Sequence, residues 1–257
     1  MADAWFAIAH LDHFWIRRRF DVLRGFAGSL IRDARAIAEV GCGCGLLQRQ
    51  IEDYYQRETT GFDLNDAALR NSISRISPLC CYNLLDRNRE YRSRFDLILL
   101  FDVLEHIEDE DGFLDALQFH LAVGGKVLIN VPAGLWLFSD YDRAAGHVRR
   151  YSIASLRRVA DRNRLNLGRL TYWGLPFIPL LLLRKLWPLG RTREGRIATG
   201  FSDRGSLMNQ VLVLLSGCER IPQRLLGTSL MAVLAAPSDT NSAAHADLKV
   251  DTGAKGV

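Results

Sequence analysis

Three groups of residues in the 257-residue chain combine type and spacing in ways that suit chemistry. The first is Glu39-Val40-Gly41-Cys42-Gly43-Cys44-Gly45, an acid two places ahead of glycines at alternate positions. Glycine lets backbone approach a ligand closely, and the amides that open a following helix then point at it. The spacing is Gly-x-Gly-x-Gly, not the Gly-x-Gly-x-x-Gly of dinucleotide enzymes, although glycines plus one acid leave NAD binding as an alternative. Asp63 comes 22 residues after Gly41, where a carboxylate accepts both hydroxyls of a ribose. The second group is His106, after an apolar run, with His147 at the end of the polar segment Ser139-Asp140-Tyr141-Asp142-Arg143-Ala144-Ala145-Gly146-His147. An imidazole titrates near about pH 6.5, so either is a candidate general base, and Asp142 is placed to orient His147. The third is Arg149 and Arg150 beside Tyr151, a clamp for carboxylate or phosphate. The plainer reading of the last two groups is a loop locked by ion pairs, and Asp102 can simply cap the helix after it.

These residues need elements to hold them. Short apolar runs predict strands at Ala36–Val40, Thr59–Asp63, Cys80–Asn83, Phe95–Phe101, Lys126–Val131, Asn166–Tyr172 and Ser229–Ala235. Amphipathic stretches predict helices from near Cys44, over Asp66–Ser74, Asp109–Leu121 and Ile153–Asn163. Repeated βα units imply an α/β fold with a parallel, doubly wound sheet, whose ligands sit at the carboxyl ends of the strands. Residues 1–35 read as one or two helices that form a lid, 36–172 as the core, 173–228 as a helical cap, 229–237 as the last strand and 238–257 as a disordered tail.

The glycine turn with Glu39 and Asp63 resembles that of the class I methyltransferases, which use S-adenosylmethionine. The likeness continues in Phe95-Asp96-Leu97-Ile98, in Asp102-Val103-Leu104-Glu105-His106-Ile107 and in Gly124-Gly125. His13-Phe14-Trp15 with Arg17 to Arg19, and Gly146-His147-Val148-Arg149-Arg150-Tyr151, resemble the branch around the quinone-biosynthesis enzymes; together the motifs span about residues 13 to 172. The resemblance implies a seven-stranded Rossmann-like sheet and transfer of a methyl group, leaving S-adenosylhomocysteine. It implies that Gly41, Cys42, Gly43 and Gly45 line the methionine part of the donor, with Glu39 near its amino group. Asp63 would hold the ribose and Leu64 would face the adenine. Asn83, with Leu84 beside it, stands where the family more often has Asp, and an amide oxygen still accepts the adenine hydrogen bond. Asp102 and Val103 complete the donor contacts, while His13, Trp15, Arg149, Arg150 and Tyr151 would meet the acceptor.

The composition is that of an ordinary globular chain, with 48% apolar and 24% charged residues. A net charge of +4 is too mild to argue for nucleic acid as a partner. Five cysteines, no paired Cys motif and no leader pattern predict reduced thiols, no metal and a cytoplasmic setting. The connection from Trp173 to Leu226 carries Phe177, Ile178, Leu180 to Leu183, Trp187 and Val211 to Leu215, with Arg184, Lys185, Arg191, Arg193 and Arg196 flanking the first run. Apolar residues beside basic ones fit a cap over a greasy pocket, an interfacial contact with membrane lipid through 175–196, or a homodimer contact. The expected acceptor is a small or lipid-like molecule, with O-methylation favoured; the rival is a binding module with no turnover.

Overall fold

The computed structural model describes residues 10–186 and 207–236. The expected tail, Trp187 and the basic residues Arg191, Arg193 and Arg196 lie outside the described residues. Seven strands make one sheet: β1 (Ile37–Val40), β2 (Thr60–Asp63), β3 (Leu79–Cys81), β4 (Phe95–Phe101), β5 (Leu121–Pro132), β6 (Asn166–Trp173) and β7 (Ser229–Ala235). Their order is β3-β2-β1-β4-β5-β7-β6. Helices α1 (Phe14–Asp33), α2 (Leu46–Tyr55), α3 (Asp66–Arg70), α4 (Glu110–His120), α5 (Asp140–Ala145) and α6 (Ile153–Arg162) alternate with them, and α7 (Ile178–Leu186) and α8 (Leu207–Gly217) lie between β6 and β7.

The central strands are apolar without alternation because both sheet faces are covered. On β4, Ile98 and Leu100 join the layer that holds Leu114 and Leu117 of α4 and Leu156 of α6. Leu97, Leu99 and Phe101 face the opposite layer, with Phe20, Leu23, Ala27 and Ile31 of α1. The N-terminal segment is thus half of the core as well as a lid candidate. Among the described residues it is a single helix, opened by His13, whose Nδ1 accepts from the Trp15 amide at 3.2 Å.

One expectation is corrected by the topology. The sheet is mixed: β3, β2, β1, β4 and β5 run parallel, but β7 is antiparallel to both β5 and β6. The chain leaves the carboxyl end of β6 at Trp173 and re-enters at Ser229, its pairing partner. No crossover is needed, so the insertion starts and stops at the sheet edge where the strands of the parallel set end. Its two ends touch: a Cβ on Gly227 would overlap the Trp173 backbone, and one on Gly174 would overlap Thr228 Oγ1.

The helix expected over Asp66–Ser74 stops at Arg70. Residues 72–77 are drawn instead toward Glu52 of α2, whose carboxylate accepts from Ser74 Oγ at 2.7 Å, the Arg75 amide at 2.8 Å, the Ser77 amide at 3.0 Å and Ser77 Oγ at 2.6 Å. Short hydroxyl side chains offer the backbone this alternative to helix. The loop matters to the glycine turn, since the Ile73 amide donates to Cys44 O at 3.0 Å and Ser72 fills the space a Cβ on Gly45 would need. Burial pushes the Glu52 carboxyl up, but the hydrogen bonds from Ser77, Ser74 and the Arg75 amide outweigh it and hold it at about 2. Its stabilisation is therefore full above the ordinary carboxylate range and lost as pH falls toward about 2. Glu52→Ala should cost about 1–3 kcal/mol in urea denaturation at neutral pH, with the gap to wild type closing between pH about 5 and 2.

Candidate active site

The ends of β1, β2, β4 and β5 supply the site. Between β1 and α2 the glycine turn adopts left-handed backbone at Gly41 (φ 74°), Gly43 (54°) and Gly45 (74°), which side chains other than glycine rarely accept. The Gly41 amide donates to Phe62 O at 2.7 Å, and the Gly43 amide to Asp63 Oδ2 at 2.7 Å. The other Asp63 oxygen takes the Asn65 amide at 2.8 Å. A Cβ on Gly41 would overlap Val103 Cγ2, so the turn lies directly against the segment that follows β4.

That segment begins with Asp102, whose own backbone is left-handed (φ 58°). Oδ2 receives Arg19 of α1 at 2.6 Å and Oδ1 receives Asn130 of β5 at 2.7 Å. Asn130 Oδ1 in turn accepts from Trp173 Nε1 at 2.8 Å. Asp102 is therefore part of a buried polar chain across four elements; the helix-capping alternative is corrected, because its carboxylate is spent on Arg19 and Asn130. Glu39 is buried beside it, and its Oε2 has no hydrogen-bond partner. Burial pushes the Glu39 carboxyl up to about 8, with Arg19 pulling it down and Asp63 pushing it up.

A donor with an ammonium, a ribose and an adenine fits these features. Glu39 presents an unpaired buried carboxyl oxygen for a cation, the glycine turn packs closely on Val103, and Asp63 stands at the end of β2. Leu64 is 68% exposed next to it, as a bare apolar wall is before a base covers it. Asn83 lies two residues past β3, and its side chain accepts the Leu85 amide at 3.1 Å, capping a short helical turn. Leu84 is corrected: its side chain is in the core at 3% exposure, whereas the neighbouring Leu85, at 56%, faces out.

The polar segment expected as a loop is in part a helix, α5, opened by Ser139 with Asp142 returning the cap bond. Asp142 is fully buried and accepts from Ser139 N at 2.8 Å, Arg150 Nη2 at 2.7 Å and His147 Nδ1 at 3.1 Å. Burial pushes its carboxyl up, but His147 and Arg150 overcome this and hold it at about 2. The rings of His147 and His106 meet edge to face with centroids 4.8 Å apart. His106 Nδ1 is tied to Gly146 O at 3.1 Å, and burial followed by His147 lowers its pKa to about 4. So His106, His147 and Asp142 are brought together with Glu105.

The expected arginine clamp is not formed. Arg150 is buried between Asp142 and Ala133 O (3.0 Å), and Tyr151 is buried with its hydroxyl on Glu110 Oε1 at 2.6 Å. Arg149 pairs with Glu110 at 3.1 Å. Arg149 and Tyr151 hold the loop to Glu110 of α4 and Arg150 holds it to α5 and the end of β5, because a buried guanidinium or phenol must find partners inside the protein. His13 is buried as the cap of α1, where burial followed by His10 lowers its pKa to about 4. Trp15 packs on Trp173 at 4.6 Å and on Phe177 at 6.0 Å. Of the two, His13 is enclosed, while Trp15 is half-buried.

A seven-stranded sheet of this order, with a glycine turn after β1 and an acid ending β2, defines a class I methyltransferase that uses S-adenosylmethionine. Residues 11–167 match the family model described as "Methyltransferase domain", and the chain belongs to that family. No curated protein matches the sequence. The fold is similar to a SAM-dependent methyltransferase from Archaeoglobus fulgidus at 13% identity, TM-score 0.55, covering 85% of this chain and 94% of that one. It is similar to N-methyltransferase NodS from Bradyrhizobium japonicum WM9, solved with S-adenosylhomocysteine, at 15% identity and TM-score 0.52, covering 87% and 88%. It is also similar to phosphoethanolamine N-methyltransferase 2 of Haemonchus contortus at 18% identity and TM-score 0.55, covering 87% of this chain and 53% of that one.

Sequence reading took Arg19 only as one of an arginine run over the pocket or facing solvent, and did not single out Asn130, its companion on Asp102. Arg19 sat in a run of three arginines whose default is a solvated face, yet Arg18 and Arg19 are both buried, Arg18 on Glu219 at 3.2 Å. Only the helical register separates them from exposed Arg17. The Glu39 environment sets a pH test. The groups facing it are Arg19 from α1, Asp63 from β2 and Gln48 from α2. Because its carboxyl is raised, it holds its proton below about 8, and binding a cationic ammonium there must expel it. S-adenosylmethionine affinity by calorimetry should rise up to pH about 8, while Glu39→Gln should bind about tenfold or more weakly and lose that rise.

Proposed function

We propose that the chain transfers a methyl group from S-adenosylmethionine to an oxygen of a small or lipid-like acceptor. The observation that supports this most is the His147–Asp142 pair. Its Nδ1 is committed to a buried carboxylate at 3.1 Å, so Nε2 is left as a proton acceptor at the carboxyl end of the sheet. The bound donor supplies a methyl already activated as a sulfonium. What remains for the protein is to align the acceptor, exclude water and receive one proton from a hydroxyl. His147 receives that proton, Asp142 fixes the ring, and neutral His106 packs against its edge. Glu39, the turn Gly41–Gly45, Asp63, Leu64, Leu85, Asn83 and Val103 hold the donor.

The acceptor's apolar character is supported by the insertion. Residues 173–228 serve as its cap: Asn209 of α8 accepts the Phe14 amide of the lid helix at 2.9 Å, and Lys185 of α7 donates to Trp136 O, after β5, at 2.5 Å. Leu135 and Trp136 stay exposed at this contact. The same insertion carries eight Lys or Arg and three acids, which leaves the rest of the chain balanced at 25 against 26. Leu183, Leu214 and Leu225 are exposed on it, with exposed Arg220 and Arg224 near the last. This is the pairing of apolar and basic groups that suits an anionic lipid surface. Among the described residues no helix is long and apolar enough to cross a membrane.

His147→Asn should lower turnover on an alkylphenol panel by about 10²–10⁴ with donor affinity unchanged, read as S-adenosylhomocysteine released; equal turnover would sink the assignment. Sedimentation with phosphatidylserine vesicles should pull down the wild-type chain in low salt and leave a Leu214→Asp, Leu225→Asp double variant in solution. Equal partitioning of the two would remove the lipid contact from the reading.

A further inference from the structure

Glu105, His106 and His147 bring one ligand atom each to within 4.8 Å of one another, just beyond the end of β4. Their hydrogen-bonding state is unusual. Glu105 is 1% exposed, and neither of its carboxylate oxygens has a partner. His106 Nε2 is likewise buried without one. The outer nitrogens of both rings are committed: Nδ1 of His106 to the Gly146 carbonyl and Nδ1 of His147 to Asp142, each at 3.1 Å. Both partners are acceptors, so each Nδ1 carries the hydrogen and each Nε2 presents a lone pair. His147 Nε2 lies 3.9 Å from Glu105 Oε1. No neighbouring donor reaches Glu105 Oε1, Glu105 Oε2 or His106 Nε2, and leaving buried polar groups in that state is costly.

We propose that Glu105, His106 and His147 form a binding site for a divalent cation of the Zn²⁺ and Co²⁺ class. Two imidazoles and one carboxylate are a ligand set for a borderline cation, whereas Mg²⁺ and Ca²⁺ favour oxygen alone. The second layer is already in place, since metal-bound imidazoles hand their other N–H to a carboxylate or a backbone carbonyl. Ligand atoms around a tetrahedral Zn²⁺ stand roughly 3.3 Å apart, so the cluster needs only modest side-chain rotation to close. Asp102, three residues earlier, is not in the set because Arg19 and Asn130 occupy its oxygens. The spacing of 41 residues between His106 and His147 hides this site from any short-motif reading, and it departs from the expectation of no metal.

Three protein ligands leave a fourth position. The site stands independently of the reaction, and only its use rests on the methyl-transfer reading. An acceptor hydroxyl bound there gives up its proton to solvent more readily. Its oxygen then takes the methyl while the donor leaves as S-adenosylhomocysteine, and with the cation bound His147 acts as a ligand instead of a base.

The test is titration of the chelator-stripped full chain with Co²⁺, followed by visible absorption, with S-adenosylmethionine affinity measured in parallel. The expected result is a d–d spectrum without thiolate charge transfer. It should weaken about a hundredfold or more in affinity in both Glu105→Gln and His147→Asn, each folded by circular dichroism and binding the donor as wild type does. Mg²⁺ should not compete. Three results would overturn the site: a thiolate spectrum, which assigns the cation to the cysteines; Co²⁺ affinity unchanged in the two variants; or no binding with Glu105→Gln more heat-stable than wild type, which marks the cluster as a protonated carboxyl. Loss of donor binding in the wild-type chain would count against the methyltransferase reading and not against the cation site.

Discussion

The carboxylate of Asp102 is where the halves of this protein are fastened. It ends β4 in a left-handed conformation, takes Arg19 from the N-terminal helix and Asn130 from β5, and through Asn130 reaches Trp173 at the end of β6. Trp173 stacks against Trp15, so the chain of contacts returns to the helix where it began. The half-buried carboxylate is held in place because both of its oxygens are hydrogen-bonded. The result fixes α1 over the strand ends and sets Val103 against the glycine turn. Cofactor pocket and N-terminal helix are consequently one mechanical unit.

The neighbouring acids show how environment divides the roles of one side-chain type. Asp142 is as buried as Glu105, yet Arg150 and His147 keep it ionised and spend it on holding a ring. Glu105 feels Arg150 too but makes no hydrogen bond with it, and burial followed by Asp102 raises its carboxyl well above the ordinary range. Glu39 lies between these cases, with Arg19 close but an oxygen unpaired. Three buried carboxyl groups thus differ in state because their hydrogen-bond partners differ.

Much of this was legible in the sequence because it depends on local order. Strand runs such as Phe95–Phe101, the alternate glycines and the acid at Asp63 announce themselves by period and position. What stayed hidden depends on three-dimensional partners. The direction of β7 is decided by where a fifty-residue excursion returns, which no window reveals. Arg150 and Tyr151 look like acceptor contacts until Asp142 and Glu110 are seen to claim them. Arg19 looks like solvent-facing charge until Asp102 is seen beneath it. Leu84 and Leu85 differ only in which side of a short turn each occupies.

The closure at Gly174 and Gly227 has a consequence for how such a chain diversifies. Both ends of the insertion meet at one point, held by Glu219 accepting the Gly174 and Leu175 amides at 2.9 and 3.0 Å, while Phe177 and Leu212 from within it pack in the layer of Leu97, Leu99 and Met231. Lengthening a loop whose ends are already joined adds little entropic cost. A graft at this point would therefore keep the sheet's core filled only if it also supplied apolar groups where Phe177 and Leu212 now sit.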